Sequence, residues 1–194
     1  VYLAIGLETM AVFMAVMGEG ISDVYSKMLR SRRKRGLYHD AIAVKNRIRF
    51  IQLFLGILFV IINLIFADTI AIKFFHTDKC SLIIRILSPV LLIRMVNNLL
   101  SGYLQSLGKH LTLAITCVIR IALFFILGNV ICKNRIAYGE KVAALLRNND
   151  YIGLYGAIGL AIAILITEII IVVVLIIFNL LNDNTYDRKK SERN

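Results

Sequence analysis

Inside the apolar stretches of this sequence stand a few ionisable and amide side chains whose spacing is that of a single helical face. Arg94, Asn98, Ser101 and Gln105 follow one another at offsets of four, seven and eleven. Each therefore falls within about 40° of Arg94 at 100° per residue. Such a stripe offers an anion one guanidinium with amide and hydroxyl groups beside it. Arg120 stands one and two turns beyond Thr116 and Thr112, on nearly the same face. The acids that could answer these cations are Glu168, deep in an aliphatic run, and Glu8 and Glu19, whose spacing of eleven gives them a common face. A charge at mid-bilayer costs at least about 2.5 to 3.5 kcal/mol on insertion scales, so each arginine is expected to meet an acid or a wet cavity. The expectation is that Glu168 pairs with Arg94 or Arg120 and that the cluster borders a hydrated cavity open to the cytoplasm. The competing account is a structural ion pair between packed helices.

Other residues call for plainer readings. Arg85 lies half a revolution from Arg94 and is expected to snorkel to the headgroups. Pro89 is the single proline and removes a helical hydrogen bond, so a kink is expected there. Gly153, Gly156 and Gly159 are three apart and suit close helix packing. His76 and Cys80, one turn apart, could suggest a cysteine nucleophile, but no third group is placed to orient the histidine. Cys80, Cys117 and Cys132 lack metal-ligand spacing and read as small apolar packing residues. No phosphate-binding glycine loop, paired acidic motif or metal-ligand cluster is present, so neither a cofactor nor an enzymatic activity is expected.

The elements that must hold these residues follow from composition. The chain has 194 residues, 59% of them hydrophobic, and a mean hydropathy of +0.78. That is more apolar surface than a water-soluble fold of this size buries. Spanning hydrocarbon takes about 20 apolar residues in a helix, and about five such runs follow in series: Val1–Tyr25, Phe50–Phe66, Ser81–Leu107, His110–Cys132 and Tyr151–Leu181. Lipid supplies no backbone hydrogen-bond partners, so the runs are helices. The predicted fold is all-α, a polytopic transmembrane bundle forming one domain over residues 1–181. The charged stretch 182–194 is read as a disordered tail or linker.

The net charge of +11 would suggest nucleic acid in a soluble protein. Here the cations lie in the connections, where they set orientation. Lys27, Arg30, Arg32, Arg33, Lys34, Arg35, Lys45, Arg47 and Arg49 surround the turn at Gly36. That connection is expected to be cytoplasmic, with Lys109 and the carboxyl end, in the cell membrane, leaving the amino end outside. The connection Ala67–Lys79 is expected to lie along the outer interface, and Glu140–Arg147 to form a short surface helix.

Three segments together resemble the multidrug/oligosaccharidyl-lipid/polysaccharide flippase superfamily, in particular its stage V sporulation protein B and polysaccharide-export branches. They are Gly18–Ala43, GEGISDVYSKMLRSRRKRGLYHDAIA; Leu87–Lys109, LSPVLLIRMVNNLLSGYLQSLGK; and Tyr151–Glu168, YIGLYGAIGLAIAILITE. Their order and spacing extend the resemblance over nearly the entire chain. It implies helices two to six of one lobe, the amino-terminal lobe by its charged tail, of a two-lobed transporter whose cavity lies between the lobes. The missing lobe or a second copy would then be a partner, beside the bilayer and a lipid-linked saccharide substrate.

The function implied is flipping of lipid-linked oligosaccharide, polysaccharide or peptidoglycan precursors by alternating access. Arg94 and Arg120 would attract the headgroup, with Asn98 and Gln105 as hydrogen-bond donors. The alternatives are a cation-coupled multidrug exporter, in which Glu8 and Glu168 bind protons or sodium, and a membrane assembly subunit with no transport of its own.

Overall fold

Because a run of aliphatic side chains in lipid satisfies its backbone only by helical bonding, long helices dominate the chain. The computed structural model describes residues 2–17 and 19–191, and it is all-α, with no strand among them. Six α-helices follow in order: α1 Tyr2–Met17, α2 Glu19–Lys34, α3 Tyr38–Phe75, α4 Ser81–Ser106, α5 His110–Leu146 and α6 Asp150–Ser191, with a 3-10 turn at Asp78–Cys80 before α4. Four of them, α3 to α6, are long and apolar enough to cross a membrane. The chain is a multi-pass membrane protein.

Several boundaries differ from those expected. The first run is described as two helical stretches, α1 and α2, on either side of Gly18, which lies outside the described residues; α1, at 16 residues, is roughly 24 Å long at 1.5 Å per residue. α2 is the docking piece of the basic end. It buries Tyr25 and Leu29 against Ala41 of α3 and Leu99 and Tyr103 of α4, leaving most of its cations outward. α3 starts at Tyr38, so Lys45, Arg47 and Arg49 stand on the helix that enters the membrane. It continues to Phe75, and the expected interfacial connection from Ala67 is helical. α5 likewise runs unbroken to Leu146, absorbing the short surface helix expected at Glu140–Arg147. The backbone of α6 is helical to Ser191, where a disordered tail was expected after Leu181. In each case the chain extends a helix past the hydrocarbon, because once nucleated a helix adds one hydrogen bond per residue.

The turns of the two ends are built differently. At the basic end the α2–α3 and α4–α5 connections use Gly36 and Gly108 with φ of 76° and 75°, a left-handed conformation that glycine adopts without a Cβ clash. At the other end His76 closes α3 and Arg147 closes α5, both with φ of 51°, despite their side chains. Backbone bonds from Thr77 to Ala71 and from Asn148 to Ala143 hold these two stops.

α4 is the hub. Its Ile83, Leu87, Val90 and Leu91 interdigitate with Met10 and Met14 of α1 and with Leu154, Ala157, Ile158, Ala161 and Ile164 of α6. α5 is peripheral and packs chiefly on α6. Their contact is a seam of glycines. A Cβ on Gly159 would stand 3.1 Å from Cα of Cys132, and one on Gly139 would stand 3.2 Å from the carbonyl oxygen of Tyr151. Gly156 meets Ile136 in the same seam, whereas Gly153 faces Tyr2 of α1 across a looser gap. The packing role expected of the glycines at the start of α6 thus holds for Gly156 and Gly159 against α5, and Gly139 completes it from the other side.

Candidate functional site

α4 and α6 run from the less basic end toward the basic end, and α5 runs back between the same two levels. Arg94 is thirteen residues into α4 and Arg120 ten into α5, which puts both near mid-height at 1.5 Å per residue. Glu168 of α6 meets them there. Its Oε1 accepts from Arg94 Nε at 3.1 Å, and its Oε2 lies 3.6 Å from a terminal nitrogen of Arg120. The expected pairing of Glu168 therefore forms with both arginines rather than one.

A fourth residue completes the cluster. Asn97 Nδ2 donates to Glu168 Oε2 at 2.6 Å. Glu168 is 2% exposed and Asn97 1%, whereas the side chains of Arg94 and Arg120 are 39% and 35% exposed. The carboxylate is thus enclosed by the helices while the two cations reach to the edge of the bundle. They are held unequally. Arg94 is hydrogen-bonded to the carboxylate, but Arg120 is only within ion-pair distance, and its buried Nε has no partner. With two guanidiniums and one carboxylate, the cluster carries a net charge of +1.

The other sequence candidates divide. Asn98 and Ser101 are partly exposed on α4. Gln105 is one level lower and donates to Asp23 of α2 at 3.3 Å, so it ties α2 to α4 instead of serving the cluster. Glu8 was expected to be buried, but α1 turns it to the exposed side while Thr9 and Met10 face inward. Glu19 opens α2, and its side chain lies outside the described residues. Asn97 was missed because it sits about 60° to the other side of Arg94. Its neighbour Asn98 matched the stripe better, and only the position of α6 decides between them. Thr116 is buried and caps its hydroxyl on the carbonyl of Thr112.

Pro89 stands on the exposed face of α4, and the helix runs on through it. One residue before it, Ser88 accepts from buried Asn63 of α3 at 2.9 Å and donates back to the carbonyl of Ile84. Arg85 does not snorkel alone, because it binds Asp68 of α3 at 2.6 Å. Cys80 is fully buried, and burial pushes its thiol up, against a smaller lowering by the Thr77 hydroxyl. A raised, enclosed thiol is a poor nucleophile, which weighs against the His76–Cys80 reading. Cys132 packs toward the carbonyl of Gly156, but Cys117 is exposed on α5, contrary to its expected packing role.

A cavity of about 160 Å³ opens nearer the basic end, lined from α2, α3, α4 and α6, and none of the four cluster residues borders it. The expected union of the arginines with a cytoplasm-facing cavity is therefore not what this cavity provides. No group of metal-ligating side chains occurs among the described residues. Comparison with protein-family models, with curated proteins and with solved structures finds no match.

Proposed function

We propose that the chain forms part of a membrane transporter that flips amphiphiles with anionic headgroups, of the lipid-linked saccharide kind, between the leaflets by alternating access. One observation carries the reading: two mid-height arginines share a single buried carboxylate, so an uncompensated positive charge remains at a depth where charge is expensive. A purely structural cluster gains most when it is neutral and covered. This one is neither, and Arg120 has a donor to spare. Asn98 and Ser101, partly exposed on α4, extend a polar track toward the basic end. By the excess of lysine and arginine there, the basic end faces the cytoplasm. A second lobe or a second copy would close the cavity over the exposed guanidiniums, and no covalent step is assigned to any residue.

The test is translocation in proteoliposomes of a fluorescent short-chain polyprenyl pyrophosphate sugar, read by quenching from outside. Arg94→Gln with Arg120→Gln should abolish protein-dependent flipping while the protein keeps its helical content. Undiminished flipping by that variant would remove both arginines from the mechanism.

A second reading, export of organic cations coupled to protons, is favoured by one fact: Glu168 is the buried carboxylate among the described residues. It requires that an imposed pH gradient drive uptake of a cationic dye and that Glu168→Gln stop it. Movement of neither probe would leave a membrane assembly subunit.

A further inference from the structure

We infer that the cleft at the basic end is a built site for the phosphate-bearing headgroup of an anionic membrane lipid. This is independent of whether the chain transports anything. The cleft, about 160 Å³, is lined by two cations, Lys45 and Arg49, by the rings of Tyr25 and Tyr103, by Asn179, and by aliphatic side chains of α4 and α6, with no acid among its described lining residues. A cavity with that lining selects negative charge at one end and hydrocarbon along the rest.

Its height suits a headgroup. Lys45 and Arg49 are one turn apart on α3, and the apolar run begins at the next residue, Phe50. The cations therefore sit where lipid phosphates sit, and the aliphatic wall lies on the acyl side of them. Among the described residues no carboxylate is within ion-pair reach of Arg49. Lys45 Nζ stands 3.9 Å from the ring centroid of Tyr103, and the guanidinium of Arg33 is 4.9 Å from the same ring. Positive charge is thus gathered on one aromatic platform.

Asn179 supplies the independent observation. It is 8% exposed, and its Nδ2 donates to the carbonyl of Leu175 at 2.8 Å and reaches that of Leu100 at 3.4 Å. Its Oδ1 is buried with no partner. An acceptor left unmatched in a nonpolar wall carries a desolvation cost, which a hydroxyl donor from a ligand would offset. The combination of two cations and one waiting acceptor fits a headgroup with a hydroxyl next to its phosphate, such as a glycerol. Asn179 is eleven residues beyond Glu168 on α6, roughly 16 Å along the axis, so the site is separate from the arginine cluster. Free phosphate would use the cations but gain nothing from the aliphatic wall.

The experiment is native mass spectrometry of the purified chain in neutral detergent, titrated with phosphatidylglycerol, phosphatidic acid or phosphatidylcholine. Phosphatidylglycerol should be retained in preference to both others. Lys45→Gln with Arg49→Gln should weaken it by about thirtyfold, at roughly fivefold per lost cation near a lipid surface. Lys27→Gln with Arg30→Gln, which removes the same charge from the exposed side of α2, should leave it unchanged. Arg49→Gln alone, at an exposed position that does not threaten folding, should give part of the loss. Asn179→Leu should erase the preference over phosphatidic acid. Equal weakening by the α2 control, or equal retention of phosphatidylcholine, would overturn the site. Full displacement by millimolar inorganic phosphate would overturn its assignment to lipid.

Discussion

Glu168 and Asp150 are carboxylates of the same helix, and each has a cation nitrogen at 3.1 Å. The Glu168 side chain is 3% exposed and holds two arginines and an amide. Asp150 is 61% exposed and holds Lys79 alone. Water decides the difference. Around Asp150 it screens the attraction and solvates either partner when the pair opens. Around Glu168 there is little water to take over, so the partners must all be present together or the remaining charge is stranded. Identical distances therefore describe a latch in one place and an obligatory cluster in the other.

The largest expected effect tests that contrast directly. Glu168→Ala should cost about 3 kcal/mol of unfolding free energy in detergent micelles, the low end for breaking a buried pair, since both guanidiniums are only partly buried and reach the edge of the bundle. If Glu168→Ala and Asp150→Ala have equal effects, the contrast is wrong. Arg94→Met should cost about 1 kcal/mol more than Arg120→Met, because the former loses a hydrogen bond to the carboxylate and the latter only an ion pair at 3.6 Å. The next test leaves the charges alone. Gly159→Val puts carbon against Cα of Cys132 and should push α5 off α6, at about 1 to 3 kcal/mol. Arg120 should leave Glu168 before Arg94 does, measurable as a double-mutant coupling to Glu168 that falls for Arg120 alone.

Much of the cluster was legible in the sequence for the reason that makes it costly. An arginine or glutamate in an aliphatic run must have a partner, so Arg94, Arg120 and Glu168 declared one another without any knowledge of packing. Asn97 did not, because an amide beside an equally plausible Asn98 is resolved only by where α6 lies. Glu8 failed from the opposite side. Its burial was inferred from depth in an apolar run, but α1 is one layer thick and has an outward face. The helices α3 to α6 were found from their hydrocarbon cores. Their ends were not, because hydropathy marks where lipid stops and says nothing about where hydrogen bonding stops. Hence α3 and α5 each run well past the expected limits, ending at His76 and Arg147 in left-handed stops that no glycine announced.

Two smaller effects bound the comparison from the solvent side. Asp68 and Arg85 are 55% and 52% exposed. Asp68→Asn should therefore cost no more than about 1 kcal/mol despite a contact of 2.6 Å, which chemical unfolding of the single variant can read. A loss comparable to that of Glu168→Ala would mean that contact length outweighs exposure.

The weakest interaction is best read through pH. The hydrogen bond from Lys79 to Asp150 outweighs the opposing effect of burial and, with the carboxylate's charge adding to it, raises the Lys79 ammonium above its ordinary 10.5. A cation whose folded pKa is raised contributes its full stabilisation below the unfolded value and loses it as pH climbs through the folded one. The latch between the turn before α4 and the start of α6 should therefore be constant through neutral pH and fade only above about 10.5. Asp150→Asn removes the partner, so its melting temperature should lie slightly below that of the parent at neutral pH and meet it in strong alkali. A gap that instead widens with rising pH would show that Asp150 acts through the first turn of α6 and not through Lys79. The surface pair would then have no place in the comparison with Glu168.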